Sequence, residues 1–188
     1  MSSEVVLVAI PTYNERDNLP VLLDRFKGVP GNFHFLIVDD NSPDGTAEVV
    51  ESLKSEIENL FLLRRPSKLG IGSAHRAAIH YAYDHGYKFL ATMDADLTHS
   101  PESLGQMLEF ADKADIVLGS RYVFSRSLPG WNLFRRFLTH AGHFVTSFFL
   151  KIPYDATGGL RVYNLKTIPR PFFDLTRANG YSFLYESL

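Results

Sequence analysis

Short apolar runs alternate along this chain with stripes of helical period, and nearly every run ends in a polar cluster, which leaves few folds open. Val5 to Ile10 reads as a buried strand stopping at Pro11, and Asn14 stands where it can cap a helix whose Leu19, Leu22, Leu23 and Phe26 share a face. Phe33 to Val38 is a second strand, Asp39 to Gly45 a turn-rich loop, and Val49, Val50, Leu53 and Ile57 the apolar stripe of the next helix. Leu60 to Leu63 is a third strand, Lys68 to Gly72 a loop, and Ala74 to Asp84 a helix stopped near Gly86. Phe89 to Met93 and Ile116 to Leu118 complete five strands, with Ser100-Pro101 starting a helix between them. Strands that alternate with helices predict an α/β fold, a three-layer sandwich around a mostly parallel sheet. No linker, repeat or low-complexity stretch interrupts the pattern, so residues 1–188 are expected to form a single domain.

Composition narrows the function. At 188 residues and 45% hydrophobic content the chain can bury one sizeable core. It contains no cysteine, which excludes a disulfide framework, a thiolate metal site and a cysteine nucleophile, and fits a reducing compartment. Met1-Ser2-Ser3-Glu4 lacks the basic region of a signal peptide, and no apolar stretch reaches the roughly 18 residues needed to cross a bilayer, so a soluble or peripheral chain is expected. The net charge of −2 conceals an asymmetry. Arg121, Arg126, Arg135, Arg136 and Lys151 lie between Ile116 and Tyr154 without one acid, leaving 14 of the 19 basic residues to face 21 acids elsewhere. That segment, interleaved with Trp131, Phe134, Phe137, Phe144, Phe148 and Phe149, reads either as an anion-binding surface or as a solvated basic face.

In open α/β sheets, ligands bind outside the carboxyl ends of the strands. Pro11 to Glu15, Asp39 to Thr46, Asp94 to His99 and Gly119 to Tyr122 all follow strand ends, so four polar clusters should converge on one rim. The sharpest is Asp94-Ala95-Asp96, because alternation along an extended strand puts both carboxylates on one face. Hard oxygens with no thiol nearby suit Mg²⁺ or Mn²⁺, ions that keep waters and bind substrate phosphates through one or two carboxylates. The same triplet also serves ordinary turns and helix caps.

In this order the clusters resemble the family-2 glycosyltransferases of GT-A (Rossmann-like) fold, and within them the dolichol-phosphate or polyprenyl-phosphate mannose synthases. The likeness rests on Pro11-Thr12-Tyr13-Asn14-Glu15-Arg16, Val38-Asp39-Asp40-Asn41-Ser42-Pro43-Asp44-Gly45-Thr46, Lys68-Leu69-Gly70-Ile71-Gly72, Met93-Asp94-Ala95-Asp96-Leu97, His99 and Gly119-Ser120-Arg121-Tyr122. Ser42-Pro43-Asp44-Gly45 is its most specific element. The resemblance implies that Pro11, Tyr13, Glu15, Val38 and Asp40 line the base and ribose pocket, where carboxylates accept hydrogen bonds from guanine nitrogens and ribose hydroxyls. It further implies that Asp94, Ala95 and Asp96 meet the donor diphosphate, with Asp94 and Asp96 holding Mg²⁺ or Mn²⁺, and that Asp96, Arg121 and Arg135 carry the catalytic charge work. Gly70 and Gly72 are expected to permit a tight loop near the nucleotide, and Asn14 and Asp44 to cap helices.

The reaction so implied is inverting transfer of mannose from GDP-mannose to a polyprenyl or dolichyl phosphate, at the cytoplasmic face of a membrane, by a peripheral enzyme that binds no nucleic acid. A phosphate monoester with a second pKa of about 6 is already a dianion near neutrality, so the acceptor needs no dedicated base. The alternatives are a UDP-glucose-dependent polyprenyl-phosphate glucosyltransferase and a catalytically impaired nucleotide-sugar-binding module. Three positions depart from the family: Thr98 where glutamine is usual, Leu160 in Asp155-Ala156-Thr157-Gly158-Gly159-Leu160-Arg161-Val162-Tyr163 where phenylalanine is common, and Thr139 in Trp131-x-x-x-Arg135-x-x-x-Thr139 where serine is common. Glu186 stands where the family carries an acid, and family members continue beyond the position of Leu188, which implies C-terminal truncation. Asp94-Ala95-Asp96-Leu97-Thr98 also fits the nucleophile motif of haloacid-dehalogenase-like phosphatases, but no acidic pair follows on a later strand.

Overall fold

The computed structural model describes residues 4–119 and 158–188. Among the described residues six strands form one sheet: β1 (Val6–Thr12), β2 (Phe33–Asp39), β3 (Leu60–Arg64), β4 (Phe89–Thr92), β5 (Ile116–Leu118) and β6 (Arg161–Asn164). Their order is β3-β2-β1-β4-β6-β5, parallel from β3 to β4, with β6 antiparallel to both β4 and β5. The helices are α1 (Asn18–Arg25), α2 (Thr46–Leu53), α3 (Ile71–Asp84), α4 (Pro101–Leu108), α5 (Arg170–Asp174) and α6 (Phe183–Glu186).

Alternation along the strands divides the core in two. Val6, Val8 and Ile10 pack with Leu19, Leu22 and Leu23 of α1, Val50 of α2 and Leu104 and Met107 of α4. Leu7 and Ala9 point the other way, to Ala74, Ala78, Ile79 and Ala82 of α3 and to Phe173 and Phe183. Ala74, Ala78 and Ala82 recur every four residues, so α3 turns a narrow small-residue stripe to the sheet and lies close to it. The three expected layers are therefore present.

Five strands lie where the sequence places them, with two differences at the rim. β1 runs through Pro11 to Thr12. The amide position of residue 11 faces the β4 side, where pairing with β1 has already ended at Ala9 and Thr92, so the missing N–H costs no ladder bond. β4 in turn stops at Thr92, and Asp94 and Asp96 lie in a bend where Leu97 takes φ 62°. Strand alternation therefore does not align the two carboxylates. The sixth strand was not anticipated. It is four residues long and begins with Arg161, an unlikely core residue by type, yet fully buried with Nε donating to the Gly158 carbonyl and a terminal nitrogen to Ser187 Oγ.

α1 starts at Asn18 rather than after Asn14, which takes φ 63° in the preceding turn. Gly70 and Gly72 have a packing role: a Cβ on Gly72 would stand 2.6 Å from Phe183 Cβ and 2.7 Å from the Ala178 carbonyl oxygen. The chain at 178–180 passes directly over the start of α3, where the Asn179 carbonyl accepts the Gly72 N–H at 2.7 Å and satisfies an otherwise orphaned helix donor. Gly72→Ala should therefore destabilise the protein by about 1–3 kcal/mol through overpacking. Gly28→Ala, where a Cβ meets nothing within 4 Å, should be neutral or stabilising by a few tenths. Denaturant unfolding of both variants checks the contrast.

His75 of α3 is fully buried and stacks on Phe183 with ring centroids 5.6 Å apart, and among the described residues neither ring nitrogen has a hydrogen-bond partner. Burial first, and the Arg161 guanidinium second, push the imidazole from its ordinary 6.5 down to about 3. Because the folded value is depressed, the unfolded chain binds the extra proton first. The stability is complete above pH 6.5 and is lost as pH falls toward 3. Between pH 7.5 and 5 this one group should cost the protein about 2 kcal/mol, a loss that His75→Leu should not show in unfolding titrations across that range.

Candidate active site

The carboxyl ends of β1, β2 and β4 share one rim of the sheet, and because β6 runs antiparallel its beginning reaches the same rim. Four loops meet there: 13–17 after β1, 40–45 after β2, 93–100 after β4, and the approach to β6 at 158–160.

The first two loops are stitched together by side-chain oxygens. Asp39 is completely buried at the end of β2; its Oδ1 accepts the Thr12 hydroxyl at 3.1 Å and the Ser42 hydroxyl at 2.5 Å, and its Oδ2 the Ser42 N–H at 3.0 Å. Three consecutive backbone donors of the β1 loop then find acceptors on the β2 loop: Asn14 N–H on Ser42 Oγ at 3.0 Å, Glu15 N–H on Thr46 Oγ1 at 3.0 Å, and Arg16 N–H on Asp44 Oδ2 at 3.1 Å. The other oxygen of Asp44 accepts the Thr46 N–H and hydroxyl, so Asp44, one residue before the N-cap Gly45 rather than the cap itself, binds the first residue of α2 while also holding the β1 loop. Burial raises the Asp44 carboxyl, but the donated hydrogen bonds from Thr46 and Arg16 outweigh it and hold the group below its ordinary range. Sequence reasoning assigned no structural task to Asp39, Ser42 or Thr46; the signal available was the density of short oxygen-bearing side chains in one loop.

Asp40, expected at the base and ribose, is buried and engaged within the protein. Its Oδ1 pairs with the Arg65 guanidinium through Nε and a terminal nitrogen, and its Oδ2 accepts the backbone N–H groups of Leu69 and Gly70 at 3.0 and 3.3 Å. Those four donors use the acceptor capacity of a carboxylate. Arg65 also donates to Ser73 Oγ and, at 3.2 Å, to the Gly70 carbonyl, so the pair ties the 65–73 loop to the end of β2. That loop carries Lys68, whose ammonium lies 3.9 Å from the ring centroid of Tyr13.

The remaining expected residues divide by exposure. Tyr13 is 37% exposed at the rim, and Pro11 and Glu15 are half-buried beside it, with Glu15 Oε2 accepting Asn18 Nδ2 at 2.8 Å. The side chains of Val38 and Ala95 are buried in the two cores and present no surface to the rim. Asp94 is half-buried and Asp96 exposed, with Asp96 Oδ1 accepting the Thr98 N–H at 3.0 Å and the Thr98 hydroxyl at 2.7 Å. Thr98 therefore braces Asp96. Glu186 accepts the backbone N–H groups of Arg177 and Ala178 at 2.8 and 2.9 Å, bonds that keep its carboxyl low. Arg121 and Arg135, together with Trp131 and the rest of the basic segment from 120 to 157, lie outside the described residues.

The donor set fits an oxygen-bound divalent ion completed by substrate. Among the described residues no group of three or more His, Cys, Asp or Glu side chains could hold a metal by itself. Two neighbouring carboxylates on an open rim match an ion that takes its other ligands from phosphate and water. No described helix is long and apolar enough to cross a membrane.

The chain is 36% identical to polyprenol monophosphomannose synthase of Mycolicibacterium smegmatis over 180 residues, covering 94% of this chain and 68% of that protein. Among solved structures it superposes on glucosyl-3-phosphoglycerate synthase from Mycobacterium tuberculosis, in complex with Mn²⁺, UDP and phosphoglyceric acid, with a TM-score of 0.67 at 14% identity, covering 96% of this chain and 61% of that one. It also superposes on the mannosyltransferase PcManGT from Pyrobaculum calidifontis, in complex with GDP-Man and Mn²⁺, with a TM-score of 0.56 at 20% identity, covering 86% and 44%. This chain thus spans less than two thirds of either solved chain, and the likeness establishes a GT-A fold. The sequence model of glycosyl transferase family 2 matches residues 7–177, most of the chain. On that match and on the identity to the mycobacterial synthase, the chain belongs to glycosyl transferase family 2.

Proposed function

We propose that this chain is the catalytic domain of a polyprenyl-phosphate mannosyltransferase that takes mannose from GDP-mannose in a divalent-metal-dependent, inverting reaction. The carrying observation is the 36% identity to a polyprenol monophosphomannose synthase over 94% of the chain, in a protein whose Asp94 and Asp96 both lie in the loop that follows β4. The GDP-Man and Mn²⁺ complex of the archaeal mannosyltransferase supports the choice of donor and ion.

In this reading Tyr13 and Glu15 face the nucleoside, and Asp40 acts through the loop it anchors. Asp94 and Asp96 would hold the Mg²⁺ or Mn²⁺ that accompanies the donor diphosphate. When bound, the ion supplies Lewis-acid neutralisation of the leaving GDP. The acceptor phosphate, ionised near neutrality, donates an oxygen lone pair to the anomeric carbon while the bond from that carbon to the GDP oxygen breaks, so no protein base is required. Arg121 and Arg135 bring fixed positive charge to the phosphates, and the basic, aromatic segment around them meets the lipid head at the cytoplasmic face of a membrane.

Titration calorimetry with GDP-mannose, GDP and UDP-glucose, each with and without Mn²⁺, followed by transfer to a polyprenyl phosphate, tests the proposal. Metal-dependent binding of UDP-glucose alone would move it to the glucosyl reading, and binding without transfer to a binding module. Asp96→Ala should abolish the Mn²⁺-dependent part of donor binding without lowering the melting temperature, since its only described partner is Thr98. Asp40→Asn should behave differently. It leaves the buried Arg65 without its counter-charge, so unfolding free energy should fall by about 3–5 kcal/mol and nucleotide affinity should drop with or without Mn²⁺. Denaturant unfolding beside calorimetry separates the two effects.

A further inference from the structure

Gly159 does not have the left-handed backbone that explains many glycines: its φ lies outside the region that strains other residues. Space explains it instead. A Cβ at 159 would stand 2.5 Å from Asp94 Oδ2, 2.6 Å from Oδ1 and 2.8 Å from Cγ, so all three nearest obstacles belong to the Asp94 carboxylate. The contact follows from the register. Thr92 is paired with Arg161, and carrying that antiparallel pairing two steps past the strand ends brings the residue after Met93 opposite the residue before Leu160. Two further bonds lock the approach: the buried Thr92 hydroxyl donates to the Gly159 carbonyl at 2.7 Å, and buried Arg161 Nε donates to the Gly158 carbonyl at 3.1 Å.

We propose that Gly159, fixed by the Thr92 hydroxyl, is a positioning residue that sets the orientation of the Asp94 carboxylate at the rim and thereby tunes its grip on the divalent ion. The inference rests on the donor-site reading above. β6 thus has a task beyond joining β4 to β5: its approach forms the floor on which one metal-facing acid lies flat. A methyl at 159 drives that carboxylate off the floor, and loss of the Thr92 hydroxyl releases the floor itself.

The test is Mn²⁺ affinity, read by electron paramagnetic resonance in the presence of GDP, for the parent chain, Gly159→Ala, Thr92→Val and Thr92→Ser, with GDP affinity measured separately without metal. Outer-shell changes typically cost 10–100-fold in metal affinity, and Gly159→Ala and Thr92→Val should each lose at least tenfold while metal-free GDP binding stays within twofold. Thr92→Ser, which keeps the donor, should restore most of the parent value. Melting temperatures in Asp94→Ala supply an arm independent of metal: Gly159→Ala should lower the melting temperature of the parent and leave that of Asp94→Ala unchanged, because the obstructing carboxylate is gone. Parent-like Mn²⁺ affinity in folded Gly159→Ala and Thr92→Val, or equal destabilisation in both backgrounds, overturns the positioning role and leaves the donor site standing. Absence of Mn²⁺ binding by the parent overturns both.

Discussion

The buried carboxylate of Asp39 is the constraint on which the rim depends. It lies at the end of a central strand with no exposed surface, and a charge in that position is tolerable only if hydrogen bonds replace its water. Thr12 and Ser42 supply them, and Ser42, once fixed, receives a backbone donor from the β1 loop. The same logic repeats through Asp44 and Thr46, so three successive amides at 14–16 are held by short side chains of the next loop. A loop whose amides are so occupied holds Tyr13 and Glu15 in place before any ligand arrives.

A second buried carboxylate extends the arrangement outward. Asp40 is paired with Arg65 and receives two further amides from the 65–73 loop, which joins the third strand to α3. Such a pair adds little net stability against its desolvation, but it is costly to break by halves and it dictates one loop geometry. Adjacent acids in the sequence therefore have separate duties, Asp39 tying the second loop to the first and Asp40 tying it to the third. Neither carboxylate is a free acceptor at the rim.

The two acids of the loop after β4 are held by other means. Among the described residues Asp96 is exposed and braced by Thr98, whereas Asp94 is half-buried, with its carboxylate where a Cβ on Gly159 would stand. That asymmetry arises from β6, which enters the sheet antiparallel between β4 and β5 and brings two glycines to the carboxyl ends of the parallel strands. Arg161 and the Thr92 hydroxyl make the insertion possible by satisfying the two glycine carbonyls in the interior.

The sequence by itself determined the strands β1 to β5, the helices that alternate with them, the three layers and the convergence of polar loops on one rim. Each follows from apolar periodicity and from the handed, short connections of α/β units, which are local or nearly local properties. It also marked Asp94 and Asp96, since paired carboxylates after an apolar run are visible as letters. The extra strand, the partners of Asp39 and Asp40 and the reason for Gly159 were decided only in three dimensions. β6 is too short for a period to register and starts with an arginine, so its strand character comes from two neighbours distant in sequence. Asp40 reads as a rim acid until Arg65, 25 positions later, is seen to neutralise it. Gly159 reads as a turn until the carboxylate of Asp94 is found in the space its side chain would fill. A carboxylate's role depends on which donors reach it, and donors from other strands are set by register, which residue order along one strand does not contain.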